Sequence, residues 1–161
     1  ELIDVLKLYC DRQIGRVLVV DDDPATAALY ARGIIQIGYE VETVSNGKEA
    51  IAAITKSNFD FIVTDLKMPG GDGFQLVDEI GLLDLKRKPH IFVVTGMPLE
   101  SSDKARLDGK VFKLIPKNGL SPRKLALDLN SAARHFAAAS VVFAGEAAFY
   151  SYLFNTHLGN A

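Results

Sequence analysis

Four short apolar runs, the first three nearly uninterrupted, most strongly constrain the fold of this 161-residue chain. They are rich in β-branched and aromatic residues and lie at Val17–Val20, Phe59–Val63, Ile91–Val94 and Val111–Ile115. Each run has the length of a β-strand. Continuous rather than alternating hydrophobicity is typical of strands that are covered on both faces, as in a parallel sheet. A weaker segment at Glu40–Val44 alternates polar and apolar residues, which predicts an edge strand.

Segments with helical periodicity separate these runs. Pro24 suits the first turn of the first helix, and Gly38 follows as its C-terminal stop. The predicted inner face of this helix comprises Ala27, Ala31, Ile34 and Ile35. Ser101–Leu107 predicts a short fourth helix, and Ser121–Pro122 opens a fifth. Strands that alternate with helices indicate β-α-β units, and therefore an α/β fold with a doubly wound parallel sheet.

The charge balance and the cysteine content limit the classes of partner and compartment. The chain has 18 Lys and Arg against 20 Asp and Glu, a net charge of −2, so direct nucleic-acid binding is not expected. The single cysteine, Cys10, excludes an internal disulfide, and no Cys/His spacing suggests zinc. The simplest expectation is a reducing, cytoplasmic setting. No membrane span or signal peptide is expected, and the missing initial Met predicts a piece of a longer or processed chain.

Polar side chains follow the apolar runs at the positions where ligands bind in doubly wound sheets. These residues are Asp21, Asp22, Asp23, Asp65, Thr95 and Lys117. Clustered carboxylates repel each other unless a cation shares the site. Oxygen ligands favour a hard ion, Mg²⁺ or else Mn²⁺. Such an ion and Lys117 would neutralise an incoming phosphoryl group, and a carboxylate can accept that group covalently.

These motifs, in this order and spacing, resemble the receiver domain of two-component response regulators. The resemblance covers about residues 15–137. It is carried by the stretches Val17–Pro24, Asn46–Ala50, Val63–Gly73, Val93–Gly96 and Leu114–Lys117. It implies a flavodoxin-like, five-stranded parallel sheet with the strand order 2-1-3-4-5.

The resemblance also implies a role for each polar residue at the sheet edge. Asp65 would be the phosphoacceptor, and Thr95 and Lys117 would contact the phosphoryl group as its catalytic partners. The ligands of Mg²⁺ would be Asp22 directly, Asp21 largely through water, Asp65 and the backbone carbonyl of Lys67. The donor would be a phosphohistidine on a histidine kinase or histidine phosphotransfer protein. The domain would catalyse its own phosphorylation and dephosphorylation.

Some of these residues also have simpler explanations. Asp23 is equally well explained as a helix N-cap, and Lys67 as a solvated side chain. Lys113 is interpreted as a solvated residue of an edge strand. The isolated histidines, interpreted as structural or surface residues, are His90, His135 and His157.

Two positions depart from the family pattern. The family usually has a proline after the lysine, joined by a cis peptide, whereas here Asn118 follows Lys117. A cis bond before a non-proline residue costs ~2.5–4 kcal/mol, so we expect a trans peptide and a differently shaped loop. Family members also commonly have Tyr or Phe at the position of Leu114. Without that aromatic ring, either the signal travels through loop and helix shifts alone, or the output is unusual.

The chain is predicted to have three parts: a helical extension at residues 1–15, the receiver at 16–137 and an apolar, helical extension at 138–161. Residues 137–161 contain one charged side chain, Glu146. This extension either packs on its own domain or mediates a homodimer or output contact. Two other functions remain open. One is a pseudo-receiver, a phosphorylation-independent interaction module. The other is a haloacid-dehalogenase-type phosphatase, which leaves the motif around Asp65 unexplained.

Overall fold

Five parallel strands form one sheet in a computed structural model that describes residues 15–68 and 73–136. The strands are β1 (Arg16–Val20), β2 (Glu40–Val44), β3 (Phe61–Thr64), β4 (His90–Thr95) and β5 (Lys113–Pro116). Their order is β2-β1-β3-β4-β5, and every neighbouring pair is parallel. The predicted α/β class, strand order and edge position of β2 are therefore confirmed.

Helices connect the strands as the periodicity predicts. They are α1 (Pro24–Ile35), α2 (Gly47–Lys56), α3 (Gly73–Leu82), α4 (Ser101–Leu107) and α5 (122–136). Pro24 occupies the first turn of α1, where its missing N–H is tolerated. The prediction for Ile35 is wrong: this residue is 55% exposed, because the inner face of α1 follows Ala27, Ala31 and Ile34 instead. The helical extensions predicted at both ends of the chain lie outside the described residues.

Two strands, β3 and β5, begin two residues later than the apolar runs that predict them. β5 begins at Lys113 rather than Val111, because the Val111 N–H donates to the Leu107 carbonyl oxygen (3.2 Å) and continues the turn after α4. Phe59 is buried but precedes β3, and the guanidinium of Arg16 lies over its ring at 5.0 Å. Apolar runs mark buried segments here, and the pairing to neighbouring strands determines where each strand starts.

The alternation of side chains along the strands divides the core between two faces. On one face, Leu18, Ile62 and Val93 pack in a cluster with residues of α2, α3 and α4. On the other side, α1 approaches the start of α5. A Cβ placed on Gly33 would lie 2.7 Å from the Cβ of Pro122, so only glycine allows this close approach.

An exposed ion cluster joins α3 to α4 and the turn after it. Asp78 of α3 accepts from Lys110 (2.7 Å) and from Arg106 (2.8 Å). Hydrogen bonds from Lys110 and then Arg106 lower the pKa of the Asp78 carboxyl below its usual value. The cluster therefore links two helices on the same side of the sheet through charge as well as packing.

The described residues belong to two units, the first ending at Ala126 and the second beginning at Leu127. The described part of the second unit, residues 127–136, is the remainder of α5, in which Leu129 and Ala132 are buried. Among the described residues, no helix combines the length and the apolar character that crossing a membrane requires.

Candidate functional site

The parallel register brings the carboxyl ends of the strands to one edge, where the predicted site residues lie. Asp21 follows β1, Asp65 follows β3, Thr95 ends β4 and Lys117 follows β5. Asp21 and Asp65 are held in line with the sheet, because their N–H groups donate to the carbonyls of neighbouring strands. The order of the strands thus places four segments that are distant in sequence around one point.

The ammonium group of Lys117 bridges two carboxylates at this edge. Its Nζ lies 2.9 Å from Asp21 Oδ2 and 3.0 Å from Asp65 Oδ2. Both aspartates are buried, at 5% and 8% exposure. Burial by itself lowers the pKa of Lys117, but the hydrogen bonds and charges of Asp21 and Asp65 outweigh it and raise that pKa above its usual value. Lys117 is therefore a permanent cation at neutral pH.

Three carboxylates form a set that can hold a metal ion. Asp21, Asp22 and Asp65 each place one oxygen so that all three oxygens lie within 4.8 Å of one another. Asp22 is exposed, whereas the other two are buried. Oxygen donors of this kind suit a small, hard divalent cation. The backbone carbonyl of Lys67 was predicted as a further ligand, and Lys67 lies two residues after Asp65 in the same loop.

Asp23 has the geometry of a helix cap rather than of a ligand. Its side chain accepts from the N–H groups of Ala25 and Thr26, both at 3.2 Å, and from the Thr26 hydroxyl at 2.5 Å. These hydrogen bonds fix the start of α1 directly after the acidic pair. Its own N–H donates to Asp21 Oδ1 at 3.0 Å, which helps to orient that carboxylate.

The loop after β3 forms a hydrogen bond with the Asp65 side chain and packs closely against Gly73. The Lys67 N–H donates to Asp65 Oδ1 at 3.2 Å. A Cβ on Gly73 would lie 2.6 Å from the Cα of Leu66 and closer still to the Asp65 carbonyl oxygen. In the sequence, Gly73 stands at the end of the stretch Val63–Gly73 that carries the family resemblance. Its contact with the backbone at Asp65 depends on how α3 packs, which no local pattern reveals.

Thr95 connects the loop after β4 to the position of Lys117. Its hydroxyl accepts from the Met97 N–H at 3.2 Å, and its carbonyl accepts from the Lys117 N–H at 2.8 Å. A Cβ on Gly96 would lie 3.8 Å from the Lys117 Cβ, an ordinary contact. Beside Thr95, a mostly apolar pocket of about 470 Å³ opens between the loop after β4 and β5, and Leu114 lines it.

The remaining predictions concern a lysine of β5, the three histidines and the peptide bond after Lys117. Lys113 is exposed on the edge strand β5. His90 begins β4 at the opposite edge of the sheet, where burial, then the charge of Arg87, lowers its pKa. His135 is in the second unit, and His157 lies outside the described residues. Within the described chain no peptide bond is cis, so Asn118 follows Lys117 through a trans bond.

Comparison with known proteins shows the family. Residues 17–128 match the model of the response regulator receiver domain. Over 68 residues the chain is 43% identical to the transcriptional regulatory protein TcrA of Mycobacterium tuberculosis. This matched segment makes up 42% of this chain and 27% of TcrA. Over 79 residues it is 33% identical to the sensor histidine kinase RcsC of Escherichia coli, 49% of this chain and 8% of RcsC. The match thus spans 27% or less of either relative.

Solved structures show the same likeness. The CheY-like receiver domain from Methanospirillum hungatei JF-1 has a TM-score of 0.67 at 26% identity, over 74% of this chain and 94% of that one. The response regulator TrrA of Thermotoga maritima, solved in complex with Mg²⁺-BeF, has a TM-score of 0.54 at 30% identity, over 63% and 85%. With a family model that covers most of its length, this chain belongs to the response regulator receiver domain family.

Proposed function

We propose that this protein is a phosphoaccepting receiver in which Asp65 takes a phosphoryl group from a phosphohistidine donor. The observation that carries the proposal is the bridge from Lys117 to Asp21 and Asp65, at 2.9 and 3.0 Å, in a member of this family. Because the cation lies between two buried carboxylates, a positive charge is already present beside the carboxylate that would accept the phosphoryl group. That charge can neutralise part of the negative charge of the incoming phosphate.

The acidic set supports a role for Mg²⁺. Asp21, Asp22 and Asp65 would hold the ion, with the carbonyl of Lys67 as a further ligand, and their oxygens fit a hard cation. When bound, Mg²⁺ supplies positive charge that reduces the repulsion between the carboxylates and the phosphate. The relative TrrA, solved with Mg²⁺-BeF, lends support to this choice of ion.

The transfer itself needs one bond to form and one to break. A carboxylate oxygen of Asp65 forms the O–P bond while the N–P bond of the phosphohistidine breaks, and the electron pair of that bond returns to the imidazole. Lys117, protonated at neutral pH, would follow the phosphoryl group and pair with one of its oxygens. The receiver thus catalyses its own modification by positioning and charge rather than by acting on a separate substrate.

Thr95 would convert this event into a change of shape. Its hydroxyl now accepts from the Met97 N–H, and turning it to donate to a phosphoryl oxygen would release that N–H at the start of the loop before α4. Leu114 lines the adjacent pocket and supplies no aromatic ring to swing. The signal would therefore pass through the loop and α4 to an output partner or a second copy, with residues 138–161 as a further contact, in the cytoplasm.

A mass measurement tests this proposal. The protein is incubated with Mg²⁺ and a small phosphodonor such as acetyl phosphate, and wild type is compared with Asp65→Asn. The matched control is Asp23→Asn, because asparagine also caps helices and the Asp23 side chain accepts hydrogen bonds from the N–H groups of Ala25 and Thr26 at the start of α1. We expect one phosphoryl adduct in wild type and in Asp23→Asn, and none in Asp65→Asn. An adduct in all three would refute the role of Asp65, and none in wild type would favour the pseudo-receiver.

A further inference from the structure

The apolar pocket beside Thr95 is a cavity that the proposed transfer does not use. It has a volume of about 470 Å³ and opens between β5 and the loop of residues 96–99. Pockets that bind small molecules commonly have volumes of roughly 300–1,000 Å³ and mostly apolar walls. This cavity therefore has the size and the lining of a small-molecule site.

Apolar side chains from the loop and from β5 form the walls of the pocket. Met97, Leu99 and Leu114 line it, and each is partly buried against the core cluster that contains Leu18. Ile115, which also lines it, is 4% exposed. Because these walls already pack on the core, an apolar group that enters the pocket would be removed from water on several sides. Burial of this kind is favourable in proportion to the apolar area that leaves water.

Lys104 gives this apolar pocket a positive charge. Of the described residues that line the pocket, Lys104, an exposed residue of α4, is the only charged one. Nearby, Arg106 and Lys110 pair with Asp78, whereas Lys104 forms no ion pair within residues 15–68 and 73–136. An anion in the pocket would therefore meet an unpaired ammonium group and no opposing carboxylate. Charge complementarity favours a negatively charged ligand.

We propose that this pocket binds a small apolar carboxylate, such as a medium-chain fatty acid. Its carboxylate would pair with Lys104, and its hydrocarbon chain would pack against Met97 and Leu114. The chain would supply most of the affinity, because an exposed ion pair contributes little by itself. A neutral apolar molecule would leave the ammonium unpaired, and a short anion would leave the walls in contact with water. Both features together define the class of ligand.

The pocket also borders a residue of the phosphorylation site. Thr95, which lines it, is 6% exposed, and its hydroxyl accepts from the Met97 N–H at 3.2 Å. A ligand packed against Met97 would favour this arrangement, whereas the proposed switch requires the hydroxyl to leave Met97. The ligand and a phosphate mimic on Asp65 would then oppose each other, and by linkage each would weaken the binding of the other by the same factor. This coupling rests on the proposed function.

A binding titration with octanoate tests the site. Octanoate is added to the 161-residue chain without Mg²⁺, and binding is followed by calorimetry and by the amide NMR signals of Met97, Leu99 and Leu114. We expect one saturable site that shifts these signals, and no saturable binding of acetate. The uncharged analogue 1-octanol should bind roughly three- to fivefold more weakly than octanoate, because it cannot pair with the ammonium. No saturable binding of octanoate would overturn the inference.

Variants of Lys104 test the position of the carboxylate. Lys104→Gln should weaken octanoate binding roughly three- to fivefold, and Lys104→Arg should restore it because the charge returns. Lys110→Gln is the matched control and should leave the affinity unchanged, since Lys110 pairs with Asp78 instead. Equal affinity for octanoate in wild type and in Lys104→Gln, or an equal loss in Lys110→Gln, would refute the role of Lys104 and with it the inference.

A variant of Leu114 tests the position of the hydrocarbon chain. Leu114→Phe should weaken octanoate binding more than about tenfold, because the larger ring takes up space in the pocket. Unchanged binding in folded Leu114→Phe would place the ligand elsewhere. If wild type is a dimer in light scattering and Leu114→Phe makes it a monomer, a second copy fills the pocket and the inference fails. If Leu114→Phe does not fold, the Lys104 variants decide the outcome.

The coupling has its own measurement, which also separates this inference from the proposed function. Saturating octanoate should lower the affinity for beryllofluoride with Mg²⁺ roughly fivefold, and beryllofluoride should lower the affinity for octanoate equally. Unchanged affinities would overturn the coupling. If wild type is phosphorylated on Asp65 but does not bind octanoate, the inference fails and the function stands. If wild type acquires no adduct, the function fails, and octanoate binding without Mg²⁺ still decides whether the pocket is a ligand site.

Discussion

Replacing Lys117 by Met would retain most of the side chain but remove the charge that joins two buried acids. The side chains of Asp21 and Asp65 are 5% and 10% exposed, and that of Lys117 is 27% exposed. Removing one partner of a buried ion pair costs about 3–5 kcal/mol. Because Lys117 is partly solvated, we expect the low end: about 3 kcal/mol less free energy of unfolding without divalent metal.

Mg²⁺ should reverse much of this loss. A ligand that binds only the folded state stabilises it by about 2.7 kcal/mol at a concentration one hundred times its Kd. In wild type, the ion must compete with the Lys117 ammonium for the same carboxylates. In Lys117→Met it meets the carboxylates unpaired, so we expect Mg²⁺ to stabilise the variant by more than it stabilises wild type.

Urea unfolding followed by circular dichroism, in EDTA and in excess Mg²⁺, measures both effects. Lys110→Met is the matched control, because Lys110 also forms an ion pair, at 2.7 Å from Asp78, but with side chains 46% and 34% exposed. Breaking that surface pair should cost less than about 1 kcal/mol and show no dependence on Mg²⁺. Equal stability of Lys117→Met and wild type in EDTA, or a larger gain from Mg²⁺ in wild type, would refute the reasoning.

Three further predictions concern the surrounding structure. In urea unfolding, Gly73→Ala should lower the free energy of unfolding by roughly 2 kcal/mol, because the added methyl group would clash with the backbone of the loop after β3. Gly81→Ala should raise it by roughly 0.5–1 kcal/mol, because the space around Gly81 is open and alanine favours the helix. Asp78→Asn should lower the melting temperature at pH 7, and this difference should shrink only as the pH falls below about 4 and through the lowered pKa of Asp78, where the folded-state carboxylate becomes protonated. Beryllofluoride with Mg²⁺ should change amide exchange across residues 101–117, measured by mass spectrometry.

Each of these predictions has an outcome that contradicts it. If Gly73→Ala is as stable as Gly81→Ala, α3 does not press on the loop after β3. A melting-temperature difference for Asp78→Asn that does not shrink as the pH falls from 7 to the lowest pH at which the protein folds would mean that packing, not charge, explains the effect. If amide exchange in residues 101–117 is unchanged by the phosphate mimic while Asp65 binds it, the signal does not pass through α4.

The fold could be predicted from the sequence because the apolar patterns of its strands and helices are local, each visible within a few consecutive residues. Continuous apolar residues at Val17–Val20 indicate a strand buried on both faces, and the alternation at Glu40–Val44 indicates an edge, as the structure confirms. Strand ends were less accurate. Val111 is as apolar as a strand residue, yet it completes the turn after α4, because hydrogen bonds between elements decide such boundaries.

The site could be predicted from the order of the strands and of the polar residues that follow them in the sequence. The positions of individual side-chain atoms could not be predicted in this way. The rule that ligands bind at the carboxyl ends of parallel strands was enough to select Asp21, Asp65 and Lys117 as neighbours. It could not predict which carboxylate oxygens the ammonium would contact, since that depends on side-chain rotamers.

The bridge from Lys117 to the two aspartates also has a consequence for folding. The partners Lys117 and Asp21 are 96 residues apart in the chain, and Lys117 directly follows the edge strand β5, which pairs with β4. Contacts between residues this far apart in sequence raise the contact order, and folding rates fall as contact order rises. The fold brings Asp21 and Asp65 together, and the charge of Lys117 offsets the repulsion between their carboxylates. Through these ion pairs, the end of the edge strand β5 is joined by charge to the segments after β1 and β3, in addition to its backbone pairing with β4.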